Sequence, residues 1–358
     1  MREQEKLEKE KIEKKITYKR LKTYLFLTFL FFLLSLLSIY IIYRMLGEAD
    51  FDIYRLLKTK IVIPTFVCFL LYYFFDGIRV YYILRSLNTK VSLKLIYKLA
   101  FLNTFVSNVT PSATGGGFIQ IYYLNKSGIS IGDATAATTI RTVLTIFFFV
   151  VSIPFVLLIE KQLRYIPNHS GIFVYTFLMA FTYVFVIFFS VYKSRLFKKI
   201  VYSLLHILKR KKLISPGHFK KLSSVILKEI TIYVYSMLDF IRTNPFYMLL
   251  SVIFTTLFLF SMFSFTAIII KGLGYSVPYT AIISYQILVT FIMYFAPTPG
   301  SVGIAEGIYS YIFLNFVKPS DVVLLTAGWR FLTVYIGMLI GLLIFYIDVF
   351  KGILKFNK

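Results

Sequence analysis

Five charged side chains interrupt the long apolar runs of this sequence and are its clearest candidates for chemistry: Asp76, Arg79, Arg141, Glu306 and Arg330. A charge at the centre of a bilayer costs about 2.5 kcal/mol or more, so such residues usually line a polar site. Their formal charges sum to +1, which suits an anionic head group in a water-filled cavity. The alternative is mutual neutralisation, of Asp76 by Arg79 three residues along one helix and of Glu306 by Arg330. We predict that all five bind a substrate.

Two short breaks in otherwise apolar sequence supply a second candidate element. They read Thr110-Pro111-Ser112-Ala113-Thr114-Gly115-Gly116-Gly117 and Ala296-Pro297-Thr298-Pro299-Gly300-Ser301-Val302-Gly303. Proline lacks the N–H that a helix needs and consecutive glycines leave the backbone unconstrained, so no helix is expected to run through either break. Half-helices that begin after the glycines would direct free N–H groups at a phosphate. The break residues predicted to bind substrate are Thr110, Pro111, Gly115, Gly116, Gly117, Pro297, Pro299, Gly300 and Gly303.

A simpler interpretation of the glycines is that they only permit close packing of helices. That interpretation suits Gly337 and Gly341, which form a small-xxx-small pair in the last apolar run. For the glycines of the two breaks it remains an alternative to substrate binding.

The two breaks are followed by the same order of landmarks. Pro111 precedes Asp133 by 22 residues, and Pro299 precedes Asp321 by the same 22. An arginine then follows each aspartate inside a new apolar run, after eight residues in the first case and nine in the second. This recurrence predicts an internal duplication. Interrupted segments in corresponding positions of two halves are typical of a transport site.

Composition places the chain among membrane proteins. Hydrophobic residues make up 58% of the sequence, aromatic residues 19%, and the mean hydropathy is +0.76. These values exclude an ordinary soluble domain. The single cysteine, Cys68, excludes an intrachain disulfide and a cysteine-based metal cluster. The charged N-terminus shows no cleavage pattern, so we expect the first span to be an uncleaved anchor.

The apolar runs predict an all-α polytopic fold with six full spans and two re-entrant helical hairpins. The predicted domains are a charged N-terminal helix at 1-22, a first membrane repeat at 23-192, basic amphipathic helices at 193-244 and a second membrane repeat at 245-358. The spans are predicted at 24–43, 61–84, 134–159, 172–192, 245–270 and 322–350, and the hairpins lie around the breaks at 110-117 and 296-303.

The basic segments predict the orientation in a cell membrane. Residues 193–244 carry twelve lysines and arginines against two acidic residues, which is typical of helices on the anionic cytoplasmic leaflet. The N-terminus, this segment and the lysines after Asp348 are all expected to be cytoplasmic. Counting spans from an inside N-terminus then makes the two repeats opposite in orientation. Binding to nucleic acid is the alternative for so basic a stretch, but the flanking spans argue against it.

Signatures of known enzyme classes are sparse. His169, His206 and His218 are scattered without metal-ligand spacing, and no P-loop or nucleophile elbow is present. We therefore predict no catalytic residue, no metal and no cofactor. Asp76 and Glu306 are the only acid and base candidates, and nothing in the sequence places them together.

The residues from Asp76 to Arg141, with the first break between them, resemble the lysylphosphatidylglycerol synthase transmembrane-region family. The second break is similar to that family's Pro-x-Pro-Gly-Gly-x-Gly-x-x-Glu signature, with Glu306 at its end and Arg330 beyond it. In the multiple peptide resistance factor, this region is the flippase part that moves aminoacylated phosphatidylglycerol between leaflets. Other members stand alone and are linked to envelope lipid or glycan metabolism.

Three features depart from that pattern. Ser301 stands where the family usually has glycine, and Gly117 stands where members often have an acidic residue. The sequence ends shortly after the last span, so the resemblance does not extend to the soluble aminoacyl-transferase domain, and lysyltransferase activity is not expected.

Three functions remain open at this point. The leading one is a flippase-like transporter for an anionic or aminoacylated phospholipid, acting alone, as a homodimer or with a separate synthase partner. The second is a membrane-embedded enzyme, or its accessory subunit, acting on a lipid or polyprenyl phosphate in envelope biogenesis. The third is a structural membrane protein whose charges neutralise one another.

Overall fold

The computed structural model describes residues 2–46, 52–159 and 169–355, and within them the chain is helical and contains no strand. The helices are α1 Arg2–Met45, α2 Thr59–Ser86, α3 Leu93–Val109, α4 Thr114–Lys126, α5 Ile131–Ile159, α6 His169–Tyr192, α7 Ser194–Arg210, α8 Pro216–Arg242, α9 Pro245–Gly272, α10 Tyr279–Tyr294, α11 Ile304–Phe313, α12 Pro319–Arg330 and α13 Ile336–Lys355. A π-helical turn, Phe331–Tyr335, joins α12 to α13.

Six helical stretches are long and apolar enough to cross a bilayer, and they confirm the six predicted spans. They are Leu25–Met45, Thr59–Ser86, Ile131–Leu158, Val174–Tyr192, Pro245–Gly272 and Pro319–Asp348. Such helices suit hydrocarbon because each backbone N–H and C=O is paired within its own segment. The predicted all-α polytopic class is therefore correct.

The two predicted hairpins appear as pairs of shorter helices, α3 with α4 and α10 with α11. Each pair is separated at its predicted break by a short 3₁₀ turn that contains a residue with non-helical backbone angles. Their re-entrant depth and opposite orientation remain predictions.

The chain divides into two compact units. The break unit comprises residues 1–71, 97–119 and 261–358, and it contains both breaks. The basic unit comprises residues 72–96 and 120–260, and it contains the basic helices α7 and α8. The division at 23-192 and 245-358 stays a prediction about the repeats.

Within the basic unit, side chains of α8 form hydrogen bonds with the first turn of α5. The Gly132 N–H donates to Oε2 of Glu229 at 2.6 Å, and the Ser236 hydroxyl donates to Oδ1 of Asp133 at 2.6 Å. The first N–H groups of a helix have no hydrogen-bond partner inside it. The Glu229 carboxylate accepts from one of these groups, and its negative charge interacts favourably with the positive end of the helix dipole. One of the few acidic residues in the basic segment thus joins that segment to a membrane span.

Gly341 holds α13 against α3 inside the break unit. A Cβ built at this position would overlap the carbonyl oxygen of Phe101 and lie 2.7 Å from Cβ of Phe105. We therefore expect Gly341→Ala to destabilise the protein by about 1–3 kcal/mol, the usual cost of overpacking. Unfolding in mixed detergent micelles would measure the loss. The control is Gly217→Ala, where no atom lies within 4 Å of the added methyl; equal stability of the two variants would contradict the close contact.

Candidate functional site

The first break is a tight turn between α3 and α4. Thr110 is extended, Pro111–Ala113 forms one 3₁₀ turn, and Ser112 and Ala113 have φ values of 50° and 53°. The unwound part is shorter than the range 110-117, because α4 already begins at Thr114. The predicted glycines 115–117 therefore lie in its first turn. Thr110 stabilises that turn, since its hydroxyl oxygen accepts from the Gly115 N–H at 3.0 Å.

The second break repeats this geometry from Thr298 to Ser301, and the two segments then diverge because α11 begins only at Ile304. Thr298 is extended, Pro299–Ser301 forms a 3₁₀ turn, and Gly300 and Ser301 have φ values of 55° and 58°. In both turns the N–H three residues on closes onto the proline carbonyl, from Thr114 in the first and from Val302 in the second. Pro297 lies exposed in the bend before the turn. The two turns therefore share one backbone geometry, and the internal duplication of the whole repeats stays a prediction.

The two turns meet inside the break unit. A Cβ built on Gly300 would overlap the Phe31 ring and lie 2.7 Å from Oδ1 of Asn108, near the end of α3. The close approach therefore requires glycine at position 300, and glycine also adopts the positive φ without strain.

The aspartates that mark the repeat occupy the same helical position. Asp133 and Asp321 are each the third residue of their helix, α5 and α12. Asp321 accepts from Arg55 Nη2 at 3.0 Å and from the Tyr275 hydroxyl at 2.5 Å. The hydrogen bond to Asp321 raises the pKa of Arg55 above its ordinary value. Both aspartates therefore lie in the first turn of a helix and accept hydrogen bonds from side chains of other segments.

Glu306 and Arg330 form a fully buried ion pair beside the second break. Both side chains are 0% exposed, and Arg330 Nε donates to Oε1 of Glu306 at 2.7 Å. Arg330 Nη2 also donates to the Gly300 carbonyl at 2.8 Å, and Oε2 of Glu306 accepts from the Gly303 N–H at 2.8 Å. The pair therefore satisfies backbone groups that the unwound turn leaves without helical partners, as hydrocarbon surroundings require.

Ser35 and Tyr335 complete this cluster, and sequence reasoning missed both. The Ser35 hydroxyl donates to Oε1 of Glu306 at 3.2 Å and is also hydrogen-bonded to the Tyr335 hydroxyl. Tyr335 belongs to the π-helical turn that follows Arg330, and such turns often occur at functional sites. In the sequence, the only indication of their role was a hydroxyl group within an apolar span. This indication is weak because serine and threonine hydroxyls often donate to a carbonyl of their own helix.

A second polar cluster lies in the basic unit, between α2 and α5. Arg79 Nε donates to Oδ1 of Asp76 at 2.9 Å, and its guanidinium stacks 3.7 Å above the Phe258 ring. Arg79 Nη1 also reaches the Thr145 hydroxyl at 3.4 Å, and that hydroxyl donates to the Arg141 carbonyl at 3.0 Å. Asp76, Arg79 and the Arg141 segment are therefore neighbours within the basic unit.

Both ion pairs named as the neutralising alternative are thus present. Arg141 is the predicted charge for which the described residues provide no carboxylate. Its Nη1 is buried and without a hydrogen-bond partner there, and the same is true of Nη1 of Arg330. Each of the two arginines that follow the repeated aspartates therefore has a buried N–H donor without an acceptor, which is unusual in native proteins.

Comparison with known proteins agrees with these features. No solved structure matches the chain. A UPF0104 membrane protein from Archaeoglobus fulgidus is 20% identical over 296 residues, which cover 82% of this chain and 88% of that protein. The family model described as "Lysylphosphatidylglycerol synthase TM region" matches residues 51–341, which include both breaks and all five charged candidates. This chain therefore belongs to the lysylphosphatidylglycerol synthase TM region family.

Proposed function

We propose that this membrane protein is a flippase-like transporter that moves an anionic or aminoacylated phospholipid between leaflets. The observation that carries the proposal is the pair of corresponding arginines, Arg141 and Arg330, each with a buried Nη1 donor that no described residue uses. A guanidinium is permanently charged and matches a phosphate with two parallel N–H donors. A phospholipid head group supplies the acceptor oxygens and the negative charge that these donors lack.

The paired turns support movement rather than static binding. The two breaks contact one another, and the buried pair Glu306–Arg330 holds the second of them. Interrupted helices in corresponding positions are typical of the substrate sites of transporters. The observed ion pairs weaken the enzyme alternative, because Asp76 and Glu306 each already bind an arginine. Neither carboxylate is thereby free to act as a general base.

The surface of α7 supports the proposed orientation, with both termini and the basic helices on the cytoplasmic side. Leu196, Ile200 and Leu204 recur at helical spacing and are all exposed, and lysines flank them on the same helix. An exposed apolar stripe with a basic border suits the interface of an anionic leaflet. The lysines of α7 would bind lipid phosphates of the cytoplasmic leaflet, and this interaction favours a cytoplasmic position for the helix.

Reconstitution with fluorescent phosphatidylglycerol tests the proposal. Vesicles are loaded symmetrically with the labelled lipid, and a membrane-impermeant reductant bleaches the outer leaflet. We expect wild-type protein to expose the inner label faster than protein-free vesicles do. Arg141→Gln should slow exposure roughly tenfold, because losing a hydrogen bond between charged groups costs about 1.5–3 kcal/mol.

Arg85→Gln is the matched control, since Arg85 lies on the same helix as Arg79 but interacts with Tyr81 and Tyr247 rings outside the predicted site. It should transport like wild type. Size-exclusion profiles verify that each variant is folded. Equal exposure rates in wild-type and protein-free vesicles would refute transport of this lipid.

A further inference from the structure

An open groove runs along the basic unit between α5 and α9. It encloses about 250 Å³ and is lined by Leu144, Phe148 and Val151 of α5 and by Val252, Thr255 and Thr256 of α9. The two threonine hydroxyls donate to carbonyls of their own helix, at 2.7 Å and 3.0 Å. Because these hydroxyls are satisfied internally and Ser152 of α5 is the one other polar side chain in the lining, the wall of the groove is mainly apolar.

The α5 side of this groove lies on the same helix face as Arg141. Leu144, Phe148 and Val151 follow that arginine by three, seven and ten residues, a spacing that returns to one side of a helix. Val151 lies about 15 Å from Arg141 along the helix axis, at 1.5 Å per residue. Arg141 is not itself a lining residue; it lies one helical turn before Leu144, beyond the N-terminal end of the α5 wall.

Charge at that end is unbalanced. Asp76 is occupied by Arg79, which leaves the Arg141 guanidinium as a net positive charge with its buried Nη1 donor unused. In the second repeat Glu306 fills this role for Arg330. Counting back from Glu306 by the 188-residue offset of the two turns gives Phe118, and neither Phe118 nor the neighbouring Gly117 carries a charge. The first repeat therefore has an arginine without the acidic partner that the second repeat provides.

We propose that this is a binding site for one anionic phospholipid, with its phosphate on Arg141 and one acyl chain in the α5–α9 groove. The site combines the two chemistries that such a molecule requires: a guanidinium for the phosphate oxygens and, one helical turn away, an apolar channel. The ligand class rests on the proposed function, but occupancy of the groove does not require movement between leaflets.

Photolabelling of the full-length protein in nanodiscs tests the site. The probe is phosphatidylglycerol with a diazirine in one acyl chain, and labelled peptides are identified by mass spectrometry. We expect labelling within 144–152 and 252–256. Arg141→Gln should reduce it roughly tenfold, as should replacing the probe by a diacylglycerol with the same labelled chain, which has no phosphate.

Val252→Phe tests the groove independently of the charge, because the larger ring fills the channel. We expect it to abolish labelling of both segments. The control is Val186→Phe on α6, a position that is 52% exposed and outside the groove; it should label like wild type. Glycerol phosphate, which has the head but no chain, should not displace the probe, and displacement would instead indicate a site for free phosphate.

Labelling at other segments, or equal labelling of wild type and Val252→Phe, would overturn the site even if the vesicles transport lipid. Normal labelling without transport would retain the site and refute the flippase proposal. The two proposals can therefore fail separately.

Discussion

Replacing Arg330 by methionine is expected to lower the free energy of unfolding by about 3–5 kcal/mol. The substitution leaves the Glu306 carboxylate buried at 0% exposure and removes the donor to the Gly300 carbonyl. Leaving one charge unpaired in a low-dielectric interior costs far more free energy than the intact ion pair contributes to stability. Unfolding by titration with sodium dodecyl sulfate in mixed micelles would measure the loss.

The double variant Arg330→Met/Glu306→Leu separates the cost of an unpaired buried charge from the cost of losing the hydrogen bond to the Gly300 carbonyl. Removing both partners should recover part of the loss, because no unpaired charge remains, while the Gly300 carbonyl still lacks its donor. Lys98→Met is the control, since Lys98 pairs with Asp348 at a partly exposed position and should change stability by less than about 1 kcal/mol. A double variant as unstable as Arg330→Met alone would contradict the ion-pair account.

Substituting Gly300 by valine is the second large effect, and we expect it to prevent correct folding or to cost about 3 kcal/mol or more. A β-branched residue at φ 55° is strained, and its Cβ would overlap the Phe31 ring and approach Asn108. Yield of monodisperse protein in detergent, followed by unfolding of what is obtained, would measure the effect.

Substitutions at two further positions show whether stability depends on the backbone angles of the turn or on the side chains packed around it. Gly307→Ala places a methyl where no atom lies within 4 Å, and it should be tolerated. Ser112→Gly tests the matching position of the first break, where serine already adopts φ 50°. It should leave stability within about 1 kcal/mol of wild type, because the relief of backbone strain offsets the added entropy of the unfolded chain. A severe loss at Ser112 would show that its side chain, and not its backbone angle, holds the turn.

The predicted site and the observed one agree best where the information is local. Proline and glycine act on their own backbone, so the positions of both breaks followed from the residues at 110–117 and 296–303. The exact helix start at Thr114 did not, because glycines in a first helical turn are tolerated when a neighbouring hydroxyl caps them, as Thr110 does for Gly115.

Sequence alone determined the membrane class, the six spans, the duplicated turns and the five charged residues. All of these depend on composition, periodicity and spacing along one chain. Only the tertiary structure decided which charges neutralise one another. It paired Glu306 with Arg330, brought Ser35 to that pair from 271 residues away, and left Arg141 without a carboxylate among the described residues. The physical reason is that a buried charge takes its partner from neighbouring helices, and their packing brings together residues far apart in the chain.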